Sequence, residues 1–244
     1  RRRFQKLGYG IFQTPSPNMS LSLGVLKTIA QTNAKNTATV IFLHGSGDTG
    51  PGVCEWIESL VGSFSFPNIK FLFPTAPLQS YTAAGGEMRH VWFDRKSISI
   101  EAEESVESID EIGSVINNLI EEEVSSGIPL NKIIVGGFSM GGGLALHVGY
   151  RLRLGLRGVF ALSSFLNRDS QVFYNLKTHS TADTPLLMYH GERDSLVPIK
   201  WGRATYDTLE SLGVGGDFVS LPNTIHELKK RELEELFEWI KKLL

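Results

Sequence analysis

Six short apolar runs, at 39–43, 69–73, 132–135, 156–162, 185–189 and 218–221, are each bounded by Gly, Pro or Asp/Asn/Ser. Runs of this length and composition are what strands buried on both faces require, because a parallel sheet covered by helices offers neither face to water. A weaker run at 25–30 is expected as an edge strand. Helical patterns fall between the runs. Val106, Ile109, Ile112, Val115, Ile116, Leu119 and Ile120 recur at three and four, as do Leu233, Leu236, Phe237, Ile240, Leu243 and Leu244, and their opposite faces are charged. Shorter helices are expected at 54–61, 141–151 and 201–212, the last stopped by Gly213 where a left-handed cap is needed. Strands alternating with helices predict an α/β fold with a mostly parallel central sheet flanked by helices, and ligands in such sheets gather at the carboxyl ends of strands.

With 244 residues, 41% of them hydrophobic and 20% charged, and a formal net charge of -2, the chain fits one folded domain; neither disorder nor a basic nucleic-acid surface is indicated. No nucleic-acid partner is expected. No apolar stretch approaches the ~20 residues that cross a bilayer, so membrane contact is expected to be peripheral at most. The single cysteine, Cys54, can form neither an internal disulfide nor a thiolate metal site, which favours a reducing compartment, the cytosol. No Asp or Glu precedes Asp48, whereas Arg1, Arg2, Arg3, Lys6, Lys27 and Lys35 are basic. A transit peptide has this charge bias. However, residues 1–18 carry Gly8, Gly10, Pro15 and Pro17 without an amphipathic stripe, and read instead as a disordered or non-native tail ahead of a domain at 19–244.

The segment GGFSMGGG (136–143) follows the run at 132–135. A phosphate-binding Walker loop is excluded because Gly142 stands where its lysine belongs, and a dinucleotide fingerprint fails in register at Leu146. What remains is G-x-S-x-G, matched by GFSMG (137–141) between an expected strand and an expected helix. In that setting Ser139 is exposed on a sharp turn as a nucleophile, with glycines two residues either side giving it room and the helix dipole favouring negative charge nearby.

A serine hydroxyl is too weak an acid to attack unaided and needs a histidine base supported by a carboxylate. For a strand-turn-helix nucleophile the chain order is Ser, acid, His. His226 lies between the last expected strand and helix, where that order places the base. Two acids compete in HGERDSLVP (190–198), Glu192 and Asp194. Asp194 is preferred because it follows the turn and precedes an apolar Leu196-Val197 pair able to shield it, whereas Glu192 beside Arg193 reads as solvated. His147, on the helix after the nucleophile, reads as a packed structural residue. Two backbone N–H donors must face the developing oxyanion. Met140, next after the nucleophile, supplies one, and Ser46 in the glycine loop HGSGDTG (44–50) is the candidate for the second. No cofactor is required, and no metal is expected, since the histidines lack paired ligand spacing.

In order along the chain, HGSGDTG (44–50), PTAP (74–77), VWFD (91–94), GGFSMGG (136–142), ALSSFL (161–166), HGERDSLVP (190–198) and PNTIHEL (222–228) resemble the acyl-protein thioesterase and lysophospholipase-like family of α/β-hydrolases. The resemblance implies the α/β-hydrolase fold without a large lid domain, and the same roles for Ser139, Asp194, His226, Ser46 and Met140. It also implies that Trp92 and Leu196 line the acyl side of the cleft, and that the substrate is an acylated protein or a small acyl ester, with protein depalmitoylation first and short-chain carboxylesterase or lysophospholipase action as alternatives. A hydrolase-like scaffold binding a lipid or partner is the non-enzymatic alternative, which a broken triad would mark. Two positions depart from the family pattern, Ser46 and Met140, where many members carry an apolar residue and Gln. The Met140 thioether is expected to reshape the acyl tunnel.

Overall fold

The computed structural model describes residues 21–179 and 184–244; the expected tail at 1–18 lies outside them. Seven strands build the main sheet: β1 (Lys27–Ile29), β2 (Ala38–Leu43), β3 (Ile69–Phe73), β6 (Ile133–Phe138), β7 (Gly158–Leu162), β8 (Leu186–Gly191) and β9 (Gly216–Leu221). Their order is β1-β3-β2-β6-β7-β8-β9, and every pairing is parallel except the antiparallel edge strand β1. All six expected runs form strands. The end of β8 differs for a physical reason: the strand runs past the apolar residues through His190 and Gly191, whose backbones pair with Ser220 and Leu221, so the ladder outlasts the hydrophobic signal.

Six helices cover the sheet: α1 (Gly50–Val61), α2 (Val106–Ser125), α3 (Met140–His147), α4 (Gln171–Thr178), α5 (Ile199–Ser211) and α6 (Lys230–Leu243). Alternation along the strands divides the core in two. Ile41 and Leu43 of β2 pack with Ile112 and Ile116 of α2 and Leu144 of α3. Val40 and Phe42, pointing the other way, pack with Ile57 of α1 and Leu236 and Ile240 of α6. Each large apolar side chain buried in this way contributes about 1.5–3 kcal/mol. Helix α1 begins earlier than expected because Thr49 caps it, accepting from Gly52 N–H, and a proline occupies its first turn. Gly213 adopts φ 94, the left-handed stop its position called for after α5.

Two elements were not expected. Helix α4 has only eight residues and a Ser170 cap. A hairpin of β4 (Leu78–Tyr81) and β5 (Glu87–His90) stands apart from the main sheet; five of its strand residues are exposed and its sequence has no clean alternation to reveal it. No helix among the described residues is long and apolar enough to cross a membrane.

The site follows from topology. From β2 the chain moves outward to β3, then returns to lay β6 on the other side of β2 and continues through β7, β8 and β9. Strand order therefore reverses between β2 and β6, and the loops leaving their carboxyl ends diverge around a crevice. Those two loops are 44–49 and the turn at Ser139.

Candidate active site

Ser139 occupies the turn between β6 and α3 with φ 53 and ψ -117. This region is strained for a residue with a Cβ, at a cost on the order of 1–3 kcal/mol. Hydrogen bonds on both sides hold it there: Ser139 N–H donates to Leu162 O at 2.8 Å, and Ser139 O accepts from Gly143 N–H at 3.1 Å and from Ser164 Oγ at 2.7 Å. The flanking glycines answer a close approach of β2. A Cβ at 137 would stand 2.3 Å from Leu43 O, and one at 141 would stand 2.1 Å from the same oxygen and 2.6 Å from His44 O. Because the obstacle is backbone, no rotamer change relieves it. Gly141→Ala is expected to destabilise by about 3 kcal/mol or more, lowering Tm by roughly 6–12 °C. Calorimetry of the variant checks this, and a Tm within about 2 °C of the parent would mean that β2 and α3 can separate cheaply.

The acid and the base arrive on two loops tied together. After β8, Glu192 N–H donates to Leu221 O at 3.0 Å and Arg193 N–H to Thr224 O at 2.9 Å, which fastens the 192–198 loop against the 222–226 loop. Gly191 permits the approach, since a Cβ there would lie 2.4 Å from Thr224 O. His226 Nδ1 then lies 2.6 Å from Asp194 Oδ2 and its Nε2 lies 3.0 Å from Ser139 Oγ. Asp194 is buried, and its Oδ1 accepts the N–H groups of Leu196 at 3.0 Å and Val197 at 2.8 Å. Burial alone would raise its carboxyl, but the His226 and Val197 hydrogen bonds outweigh burial and hold it below the usual carboxylate range. Of the two competing acids, Glu192 stays exposed and only Asp194 reaches the imidazole.

His190 was not anticipated near the site. It is buried under Asp194, with Nε2 2.7 Å from Val197 O and 3.6 Å from Asp194 Oδ2. Burial lowers its pKa, so it serves as a neutral prop. His147 is buried and pairs with Glu104 at 3.0 Å, in keeping with a packing role.

The second loop is braced from below. Burial drives the His44 imidazole down to about 4. The neutral ring donates from Nδ1 to Gly45 O at 2.6 Å and accepts Ala76 N–H at Nε2 at 2.9 Å. Trp92 Nε1 donates to His44 O at 2.8 Å. Ser46 is exposed at the cleft, and among the described residues its N–H has no acceptor. Met140 opens α3, so its N–H has no carbonyl one turn back to reach.

These loops enclose a cleft of about 230 Å³ walled by Ser46, Asp48, Trp56, Arg95, Phe138 and Leu196, with Ser139 and His226 opening into it. Leu196 lines the cleft, 48% exposed. Trp92 does not: it is fully buried, and it meets the site through His44, donating to its backbone carbonyl and packing its ring 4.8 Å from the imidazole. The expectation for Met140 also needs correction. Its side chain is 1% exposed and packs with the α2-side core, because the first turn of α3 directs it inward, so the thioether does not narrow the cleft. Arg95 and Tyr81 line the cleft without having been foreseen, and no spacing or periodicity marks either. Among the described residues, no group of three or more His, Cys, Asp or Glu could hold a metal ion.

A family model described as phospholipase/carboxylesterase matches residues 26–244. Lysophospholipase-like protein 1 of Mus musculus is 44% identical over 215 residues, covering 88% of this chain and 90% of that protein. Acyl-protein thioesterase 1 homolog 1 of Dictyostelium discoideum is 36% identical over 211 residues, 86% of this chain and 92% of that protein. The crystal structure of Zea mays acyl-protein thioesterase 2 matches with a TM-score of 0.78 at 27% identity, covering 90% of this chain and 99% of that one. A match across the whole sheet, from β1 to the last helix, leaves no part of the architecture to another family: the chain belongs to the phospholipase/carboxylesterase family of α/β-hydrolases and is a serine hydrolase.

Proposed function

We propose that the protein cleaves acyl thioesters or esters through an acyl-enzyme on Ser139, and that its substrates are S-acylated proteins, palmitoylated ones first, met in the cytosol. The reading rests above all on the unbroken hydrogen-bond chain from Asp194 through His226 to Ser139, 2.6 Å and 3.0 Å long. In this reading His226 takes the Ser139 proton as the hydroxyl attacks the acyl carbonyl, and returns it to the departing thiolate or alkoxide. Water, deprotonated by the same ring, then releases the fatty acid. Asp194 keeps the ring oriented and supports the imidazolium as it forms. The Ser46 and Met140 N–H groups receive the oxyanion, each worth about 3 kcal/mol of transition-state stabilisation. The relatives named acyl-protein thioesterase support the thioester substrate. So do Leu196 and Ile225, 48% and 52% exposed on the acid and histidine loops, where a chain too long for the cleft would find apolar surface.

One observation favours a second reading, a short-chain carboxylesterase or lysophospholipase: a cleft of about 230 Å³ falls below the roughly 300–1,000 Å³ usual for ligand sites. Labelling with a fluorophosphonate tests the reading as a whole, with an adduct expected on Ser139; folded protein that stays unlabelled would end it. Rates on p-nitrophenyl esters of rising chain length divide the two substrate classes. Rates that hold through palmitate assign depalmitoylation, and a collapse between butyrate and octanoate assigns the short-chain reading.

A further inference from the structure

Arg95 is 8% exposed, yet no carboxylate pairs with it and no hydrogen bond among the described residues engages its guanidinium. Its Nε is sealed from solvent with no acceptor among the described residues. The guanidinium lies over the ring faces of Phe93 and Phe165, with Cζ 4.9 Å and 4.7 Å from their centroids. Cation–π contacts of this kind engage the face of the guanidinium plane and leave the N–H donors, which lie in the plane, unused. Glu104, the carboxylate whose charge acts on Arg95, is committed elsewhere, to His147 at 3.0 Å and to Gln171 N–H at 2.9 Å. A guanidinium taken out of water and left unpaired is costly, and Met would fill the same slot against the two rings at less cost. The neighbouring wall repeats the pattern: Tyr81 is 4% exposed and its hydroxyl also lacks a partner among the described residues. Both residues face the cleft that holds Ser139 and His226.

We infer that Arg95, with Tyr81 beside it, forms an anion-recognising subsite of the active cleft, which selects acyl substrates bearing a carboxylate or phosphate within reach of the scissile bond. The inference rests on the hydrolase reading above. It assigns Arg95 to substrate choice and leaves the proton transfers to Ser139 and His226. Gly143 helps to seat the group, since a Cβ there would come 3.3 Å from Arg95 Nη2.

Two pairs of matched esters test it and locate the anion. On the acyl side, mono-p-nitrophenyl adipate is compared with p-nitrophenyl hexanoate. On the leaving-group side, 3-butyryloxybenzoate is compared with 3-butyryloxybenzamide. A charge-assisted hydrogen bond predicts a kcat/KM preference for the anionic member of about tenfold or more in one pair. In Arg95→Met that preference is expected to vanish, and in Arg95→Lys, which keeps the charge but not the planar fork, to survive in part. Equal turnover within both pairs by the parent enzyme overturns the subsite while leaving the hydrolase reading intact. A preference that persists in Arg95→Met overturns the assignment to Arg95. Failure to turn over all four esters, with no fluorophosphonate adduct, removes the hydrolase reading and the subsite with it.

Discussion

Replacing Ser139 with Ala is expected to lower kcat by about 10⁵- to 10⁶-fold, the usual result of removing a triad nucleophile. At roughly 1.36 kcal/mol per decade this is about 7–8 kcal/mol of transition-state stabilisation. The variant should still fold. Ser139 holds its place through its backbone, by the bonds to Leu162, Gly143 and Ser164, and its Oγ makes no capping bond to α3. Its bond to His226 is the one lost. Removing His226 as well should then cost little more, because the two residues act as a unit. Steady-state rates, corrected for background hydrolysis, check both statements. Retention of more than a few per cent of activity in Ser139→Ala would place the nucleophile elsewhere.

The grouping of Ser139, Asp194 and His226 was legible because its signals are local and ordered. A glycine-serine-glycine turn between strand and helix, followed by an acid after one strand and a histidine after the last, needs no knowledge of contacts at a distance. The choice of Asp194 over Glu192 was legible in part: an apolar pair after the acid foretells its burial, but only Val197 is buried while Leu196 is 48% exposed, and what both supply is the backbone N–H groups that hold the carboxylate. Orientation was not legible. Trp92 sits in a motif close to the cleft, but whether an indole faces a substrate or braces a loop depends on which way the segment after the β4–β5 hairpin turns. That hairpin itself carries no periodic signal. Met140 fails for the same reason, since its backbone and its side chain lie on opposite sides of one helical turn. Arg95, His190 and Tyr81 reach the site from separate segments, and only the folded sheet brings them together.

Asp194→Asn is expected to lower kcat by about 10⁴-fold, or roughly 5 kcal/mol, with almost no change in shape. The reason lies in how the carboxylate is shared. Oδ1 receives two backbone N–H groups, at 3.0 Å and 2.8 Å, so the carbonyl oxygen of an asparagine is held on that side and its NH₂ falls where Oδ2 stood. There it faces His226 Nδ1, 2.6 Å from the replaced oxygen. Two donors cannot share that space, so the ring proton moves to Nε2. A protonated Nε2 pointing at Ser139 Oγ, 3.0 Å away, can no longer take the serine proton. Turning the amide over leaves NH₂ against two N–H groups and restores nothing. Loss of the low-field Nδ1 proton resonance in the variant would identify tautomer change as the cause. Glu192→Gln provides the contrast: that side chain is exposed and makes no bond to His226, so its rate should stay near the parent's. A large loss in Glu192→Gln, or less than a tenfold loss in Asp194→Asn, would mean that His226 takes its orientation from elsewhere.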